Sequence, residues 1–124
     1  MPHPNHTLGQ RGEEAVVRWL VASGWRVLAR RWRCGAGELD VVLRDPTGAL
    51  VGVEVKLRRS RRSGSAVESV DQRRVARLRA ALVEYARGPE GARGQAALRT
   101  DLVTVEPAGG GRWRLSRLPG IDAW

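Results

Sequence analysis

The feature that most constrains this chain is a pair of alternating segments placed back to back. In the first, Leu39, Val41 and Leu43 fall on one face of an extended strand, and Glu38 and Asp40 fall on the other. In the second, Val51, Val53, Val55 and Leu57 share a face, leaving Gly52, Glu54, Lys56 and Arg58 opposite. Asp45-Pro46-Thr47-Gly48 between them is a turn signal, so the pair reads as a hairpin. If both apolar faces pack on one core, Asp40, Glu54 and Lys56 emerge on the same side of the sheet.

The flanking segments supply the other layers. Thr7-Leu8-Gly9-Gln10 is a capping box that opens a first helix. Leu8, Ala15, Val16, Trp19, Leu20 and Ala22 give it an apolar stripe, which predicts a core position for Trp19, and Gly24 stops it. Trp25 to Trp32 is rich in β-formers, and Cys34-Gly35-Ala36-Gly37 is a turn. A second helix runs from about Ala66 or Asp71 to Arg87, with Val75, Leu78, Leu82 and Tyr85 along one side and Gly88-Pro89 at its end. Leu98 to Val105 and Arg112 to Leu118 complete the strands, joined through Gly109-Gly110-Gly111. The order helix, strands, helix, strands predicts a single α/β domain over residues 1–124, a mixed sheet flanked by helices, with residues 1–6 as a disordered tail.

Composition narrows the class. The 124 residues carry 22 basic and 13 acidic side chains, a formal charge of +9, so a polyanion is the expected partner and nucleic acid the first candidate. No apolar run approaches the roughly 20 residues of a membrane span, and the first residues lack the apolar core of a signal peptide. No stretch joins a basic face to a broad apolar one, so a membrane partner is not expected. The single Cys34 excludes an internal disulfide framework and fits a reducing cytoplasm. His3 and His6 have no partner acids or cysteines at metal-binding spacing.

The chemistry gathers in the hairpin. Asp40 and Glu54 on neighbouring strands repel, and holding both ionised on one surface requires a compensating cation. A hard divalent ion, Mg²⁺ or Mn²⁺, suits such a pair, because it takes oxygen ligands and keeps several waters beside one or two carboxylates. The Val55 backbone carbonyl is a further candidate ligand. Lys56 lies roughly 6.6 to 7 Å along the strand from Glu54, where its ammonium can orient an attacking water. Metal-assisted phosphodiester hydrolysis is the reaction class that follows.

Glu-x-Lys alone also describes an ordinary charge pair on a strand face. The arginine bias separates the readings. Lys56 is the only lysine among 22 basic residues, and with eight glutamates chance puts Glu two places before it roughly one time in sixteen. A lysine is a compact point charge whose proton affinity shifts readily, whereas a guanidinium is a broad, permanently charged fork.

Gly12-Glu13, Gly37-Glu38-Leu39-Asp40 and Val53-Glu54-Val55-Lys56-Leu57-Arg58 resemble the motifs of the YraN-like family of uncharacterised bacterial proteins. Ser63-Gly64-Ser65-Ala66 with Val70, and Arg99-Thr100-Asp101-Leu102-Val103, resemble its later signatures, so the match runs from about Leu8 to Trp124. That family is similar to archaeal Holliday-junction resolvases of the PD-(D/E)xK nuclease superfamily. The resemblance implies a restriction-endonuclease-like core, Asp40 and Glu54 as metal ligands, Lys56 as the water-orienting cation and Glu13 as an additional acid. It also implies DNA, branched or structured, as substrate, and points toward a homodimer. Two positions depart from the pattern: Gly52 replaces a bulky apolar residue, and arginine replaces lysine at Arg73 or Arg74.

Taken without the resemblance, Glu13 and Glu14 are explained by the dipole at the start of the first helix. Glu38 has two readings, a supporting group beside Asp40 or a partner for a nearby arginine. Net +6 of the +9 lies between Glu54 and Arg79, which marks Arg58, Arg59, Arg61, Arg62, Arg73 and Arg74 as candidate phosphate contacts. A non-catalytic nucleic-acid-binding module and a domain meeting an acidic protein are the competing functions.

Overall fold

A computed structural model describes residues 7–59, 70–89 and 97–123. Arg61, Arg62, the Ser63–Ala66 motif, the tail with His3 and His6, and Trp124 lie outside the described residues, as does the longer reading of the second helix from Ala66.

The first helix, α1, spans Leu8–Ala22. Its capping box is complete: the Gln10 N–H donates to Thr7 Oγ1 over 3.1 Å and the Thr7 N–H to Gln10 Oε1 over 2.8 Å. Gly24, with φ 92°, takes the left-handed turn that ends the helix and leads into the sheet. Strand β1 (Arg26–Cys34) then pairs antiparallel with β2 (Gly37–Arg44), and β2 pairs antiparallel with β3 (Leu50–Leu57). Helix α2 (Gln72–Ala86) crosses over to β4 (Leu98–Gly109), which lies parallel to β3, and β5 (Arg112–Leu118) closes the far edge. A parallel β3–β4 pair needs such a crossover, since a tight hairpin cannot join strands running the same way. The five strands lie in chain order, and a short 3-10 helix (Ile121–Ala123) follows.

The two helices cover opposite faces. Val16, Val17 and Leu20 of α1 pack with Val41, Leu43, Val51, Val53, Val103 and Val105. Leu78, Ala81, Leu82 and Tyr85 of α2 pack with Leu39, Val42 and Leu50. The α/β fold with a mixed sheet is thus observed, and Asp71 is the N-cap of α2, its side chain accepting from the Arg73 N–H over 3.0 Å.

Three expectations change. Trp19 is 38% exposed: the buried stripe of α1 runs through Gly12, Val16, Val17 and Leu20, and Val17 takes the core position. Glu13 and Glu14 lie beyond the first turn of α1, so ion pairs described below, and not the helix dipole, account for them. Leu39 does not share a face with Val41 and Leu43. It packs in the α2 layer while they pack in the α1 layer, so the alternation of β2 breaks at Asp40.

The cause lies on the neighbouring strand. Arg31, flanked by the pairs Arg30–Val41 and Trp32–Leu39, has φ 51°, a left-handed conformation costing about 1–2 kcal/mol for a non-glycine residue. Gly52 accommodates the result. A Cβ there would lie 3.1 Å from Leu39 Cδ2, so the missing side chain is the space into which Leu39 turns.

Candidate active site

The β2–β3 ladder runs from Arg44–Leu50 to Val41–Val53 and no further. Beyond it the strands splay, and Asp40 and Glu54 stand at the fork. The Val55 N–H, freed from the ladder, donates to Asp40 Oδ2 over 2.9 Å. In an extended strand a residue's carbonyl points to the same side as its N–H, so the Val55 carbonyl also faces the fork.

Glu54 is buried, with 8% of its surface exposed. Arg74 reaches it from the first turn of α2: Nε and Nη2 both meet Glu54 Oε1, at 2.7 and 2.6 Å. Side chains of a helix lean toward its N-terminus, which aims Arg74 back at the end of β3. Glu54 Oε2 is buried and has no hydrogen-bond partner among the described residues.

Glu13 enters from α1. Its Oε1 meets Arg30 Nη2 at 3.4 Å and Arg31 Nε at 3.8 Å, while Arg30 Nη1 donates to Glu14 Oε2 over 2.9 Å. Strict alternation would send Arg30 and Arg31 to opposite faces; the left-handed turn at Arg31 lets both reach the same carboxylate. Glu38 takes the arginine reading: its Oε2 accepts from Arg33 Nε, directly across the β1–β2 ladder, over 2.9 Å.

An open cleft of about 470 Å³ joins these groups. Glu13, Glu38, Asp40, Glu54, Val55 and Arg74 line it, with Arg31, Arg33 and the start of α1 at its rim. A second hollow of about 300 Å³, bounded by Gly37, Arg77 and Leu78, shares Glu38, Asp40 and Arg74 with the first.

Lys56 is exposed at the end of β3 and is not part of the cleft lining. Of the three groups expected on one side of the sheet, Glu54 is buried under Arg74 and Lys56 stands exposed beyond it. The reason is α2, which covers that face as far as Glu54. Among the expected phosphate contacts, Arg74 is engaged by Glu54, Arg59 and Arg73 are exposed away from the cleft, and Arg58 Nε is buried without a partner among the described residues. The arginines that line the two hollows beside Arg74, namely Arg31, Arg33 and Arg77, carry no distinguishing signal in a sequence with 21 arginines.

The three acids are held above their usual proton affinities. For Glu54 burial is the main cause and the Asp40 charge adds to it, against Arg74 and Lys56. For Glu13 burial again leads, followed by Asp40, against Arg31 and Arg30. For Asp40 burial outweighs the Val55 N–H and the Arg74 charge. Burial penalises the ionised form of each acid more than the nearby arginines offset it, and a cation entering the cleft lowers that cost. Among the described residues, no group of three or more His, Cys, Asp or Glu side chains is assembled as a metal cage. The donors fit an ion that takes two carboxylates, one of them with an orphaned oxygen, and solvent, which is the habit of Mg²⁺ and Mn²⁺.

A model of uncharacterised protein family UPF0102 matches residues 12–105 of this chain. A UPF0102 protein of Symbiobacterium thermophilum is 44% identical over 110 residues, covering 86% of this chain and 88% of its own length. One from Kineococcus radiotolerans is 40% identical over 115 residues, covering 93% of each. Among solved structures, a chain of the EndoMS-dsDNA2 complex aligns with a TM-score of 0.39 at 23% identity, over 80% of this chain and 38% of that one. No helix among the described residues is long and apolar enough to cross a membrane.

Proposed function

The chain belongs to uncharacterised protein family UPF0102, and from that premise we propose that it is a Mg²⁺- or Mn²⁺-dependent endonuclease acting on DNA, with branched or structured DNA as its substrate class. One observation carries the reading. Asp40 and Glu54 converge where β2 and β3 stop pairing, and Glu54 keeps a buried oxygen, Oε2, without a partner among the described residues. Buried polar atoms are normally satisfied, so that oxygen calls for a partner, and a cation in the fork supplies one.

In this reading Asp40, Glu54 and the Val55 carbonyl hold the cation, which when bound offsets phosphate charge and lowers the proton affinity of water. The Val55 N–H fixes Asp40, which lines the cleft. Lys56 reaches back along β3 on its flexible stem to orient the attacking water. Glu13 is the additional acid, and its arginine neighbours Arg30 and Arg31 hold its carboxylate in place. Arg31, Arg33, Arg74 and Arg77, with the basic segment after β3, meet the phosphates. A homodimer engaging two arms of a branched substrate is the matching assembly, measured by light scattering on the pure protein.

The absence of an acidic cage among the described residues favours a second reading, a nucleic-acid-binding module without turnover. Incubating the pure protein with a four-way junction and a linear duplex, in Mn²⁺ and in chelator, separates the two. Cleavage that needs Mn²⁺ and falls about 100-fold or more in Glu54→Gln and Lys56→Ala supports the nuclease. Binding without cutting in Mn²⁺ supports the module, and cleavage surviving both substitutions removes the assigned residues.

A further inference from the structure

We propose that Arg74 is a resident counter-cation of Glu54, which it releases to an incoming divalent ion, its guanidinium then taking a phosphate of the nucleic acid. The inference rests on the metal-dependent reading above. Arg74 places both Nε and Nη2 on one oxygen, Glu54 Oε1, and leaves Oε2 buried without a partner among the described residues. An arginine that binds a carboxylate for structure alone favours a parallel fork, one N–H to each oxygen. The one-sided grip satisfies the carboxylate in part and keeps its second oxygen for another cation.

The surroundings allow the exchange. The Arg74 side chain is 53% exposed and lines both hollows that meet at Asp40, so it can swing off Glu54 without entering the core. Arg30 and Arg31 pair with Glu13 and Glu14, and Arg74 is the cation whose charge bears on Asp40 and Glu54 alike. A dication and a guanidinium on the same carboxylate repel strongly at such distances. The guanidinium that leaves remains in the hollows, where its planar fork matches a phosphate.

Calorimetric titration of MnCl₂ into the full chain at about pH 8, above the ordinary carboxylate range, tests the exchange. The variants are Arg74→Gln, which keeps an N–H donor without the charge, and Arg74→Lys, which keeps the charge without the fork. Arg74→Gln is expected to bind Mn²⁺ roughly tenfold tighter than the wild type, and Arg74→Lys about threefold tighter. In anisotropy with a labelled four-way junction, Arg74→Gln is expected to weaken binding more in Ca²⁺ than in chelator. If the wild type binds Mn²⁺ and neither variant binds it more tightly, the exchange is overturned and the metal-dependent reading stands. If no form binds Mn²⁺, both fall. Arg74→Lys keeps the comparison available should Arg74→Gln fail to fold.

Discussion

The Val55 N–H donates to Asp40 Oδ2 over 2.9 Å at the point where β2 and β3 cease to pair. A side chain has replaced a strand as the acceptor of that backbone donor. The substitution keeps a buried N–H satisfied while letting the strands open, and the opening is the cleft. The carboxylate that terminates the ladder is thus the same one that faces Glu54.

Asp40→Asn separates these two duties. The amide oxygen still accepts from Val55, and the loss of a crowded negative charge raises Tm by about 2–4 °C. Asp40→Ala loses the acceptor and costs about 1–3 kcal/mol, because the Val55 donor is left unmade. Thermal melts of the two variants beside junction-cleavage rates check this. Both lose cleavage, and only the second loses stability.

The pH dependence of stability has two opposing sources. Glu13, Asp40 and Glu54 have folded proton affinities raised above their unfolded values, chiefly by burial. The folded state therefore holds those protons more tightly, and stability falls as pH climbs from the ordinary carboxylate range through the raised values. Asp45 acts in the opposite sense. Burial pushes it up, but the Thr47 hydroxyl, Arg99 and the Ala49 and Thr47 N–H groups together hold it below its usual value. Its contribution is present above the ordinary aspartate range and is lost as pH falls through the depressed value. Urea unfolding across acid pH should show a flatter alkaline limb in Glu54→Gln and a smaller acid loss in Asp45→Asn.

Asp101 anchors a network whose residues do not line the cleft. It is fully buried and accepts from Arg99 over 2.8 and 3.1 Å, from Arg117 over 2.9 Å and from the Gly120 N–H over 3.0 Å. Arg99 also donates to Asp45 over 2.9 Å, and both arginines lie over the Trp25 ring. Asp101→Ala leaves Arg117 without its anion and Arg99 with Asp45 alone, and costs about 3 kcal/mol in urea unfolding. Cleavage per folded molecule stays at the wild-type rate, since the network does not touch the cleft.

Gly52 is coupled to the site through Leu39. Gly52→Val places a side chain where Leu39 Cδ2 sits and costs about 1–3 kcal/mol. Leu39 precedes Asp40, so cleavage falls as well. Combining it with Leu39→Ala restores part of both, and a double-mutant cycle that shows strict additivity would remove the coupling.

Much of the framework is legible without coordinates. Thr7 and Gln10 announce α1 because a capping box is a local hydrogen-bond exchange, and Val51 to Leu57 reveal β3 because alternation is a local consequence of the pleat. Asp40 and Glu54 stand out by residue type and order, and Glu13 through the family resemblance. Trp19 and Leu39 mislead for a shared reason: each obeys the local period, and packing against a neighbouring element decides otherwise. The short spacing between Gly109 and Arg112 marks the last hairpin, but β4 continues through Pro107 to Gly109, past the end its apolar pattern suggests.

The amino-acid sequence by itself determined the elements, their order, the net positive charge and the identity of the acidic residues, since each depends on neighbours along the chain. The tertiary structure alone decided which of 21 arginines matter and how. It set Arg74 on Glu54, turned Arg30 and Arg31 together onto Glu13, and left Lys56 exposed beyond the cleft. Charge acts through space across elements far apart in sequence, and a periodic pattern carries no record of which distant carboxylate a guanidinium will meet.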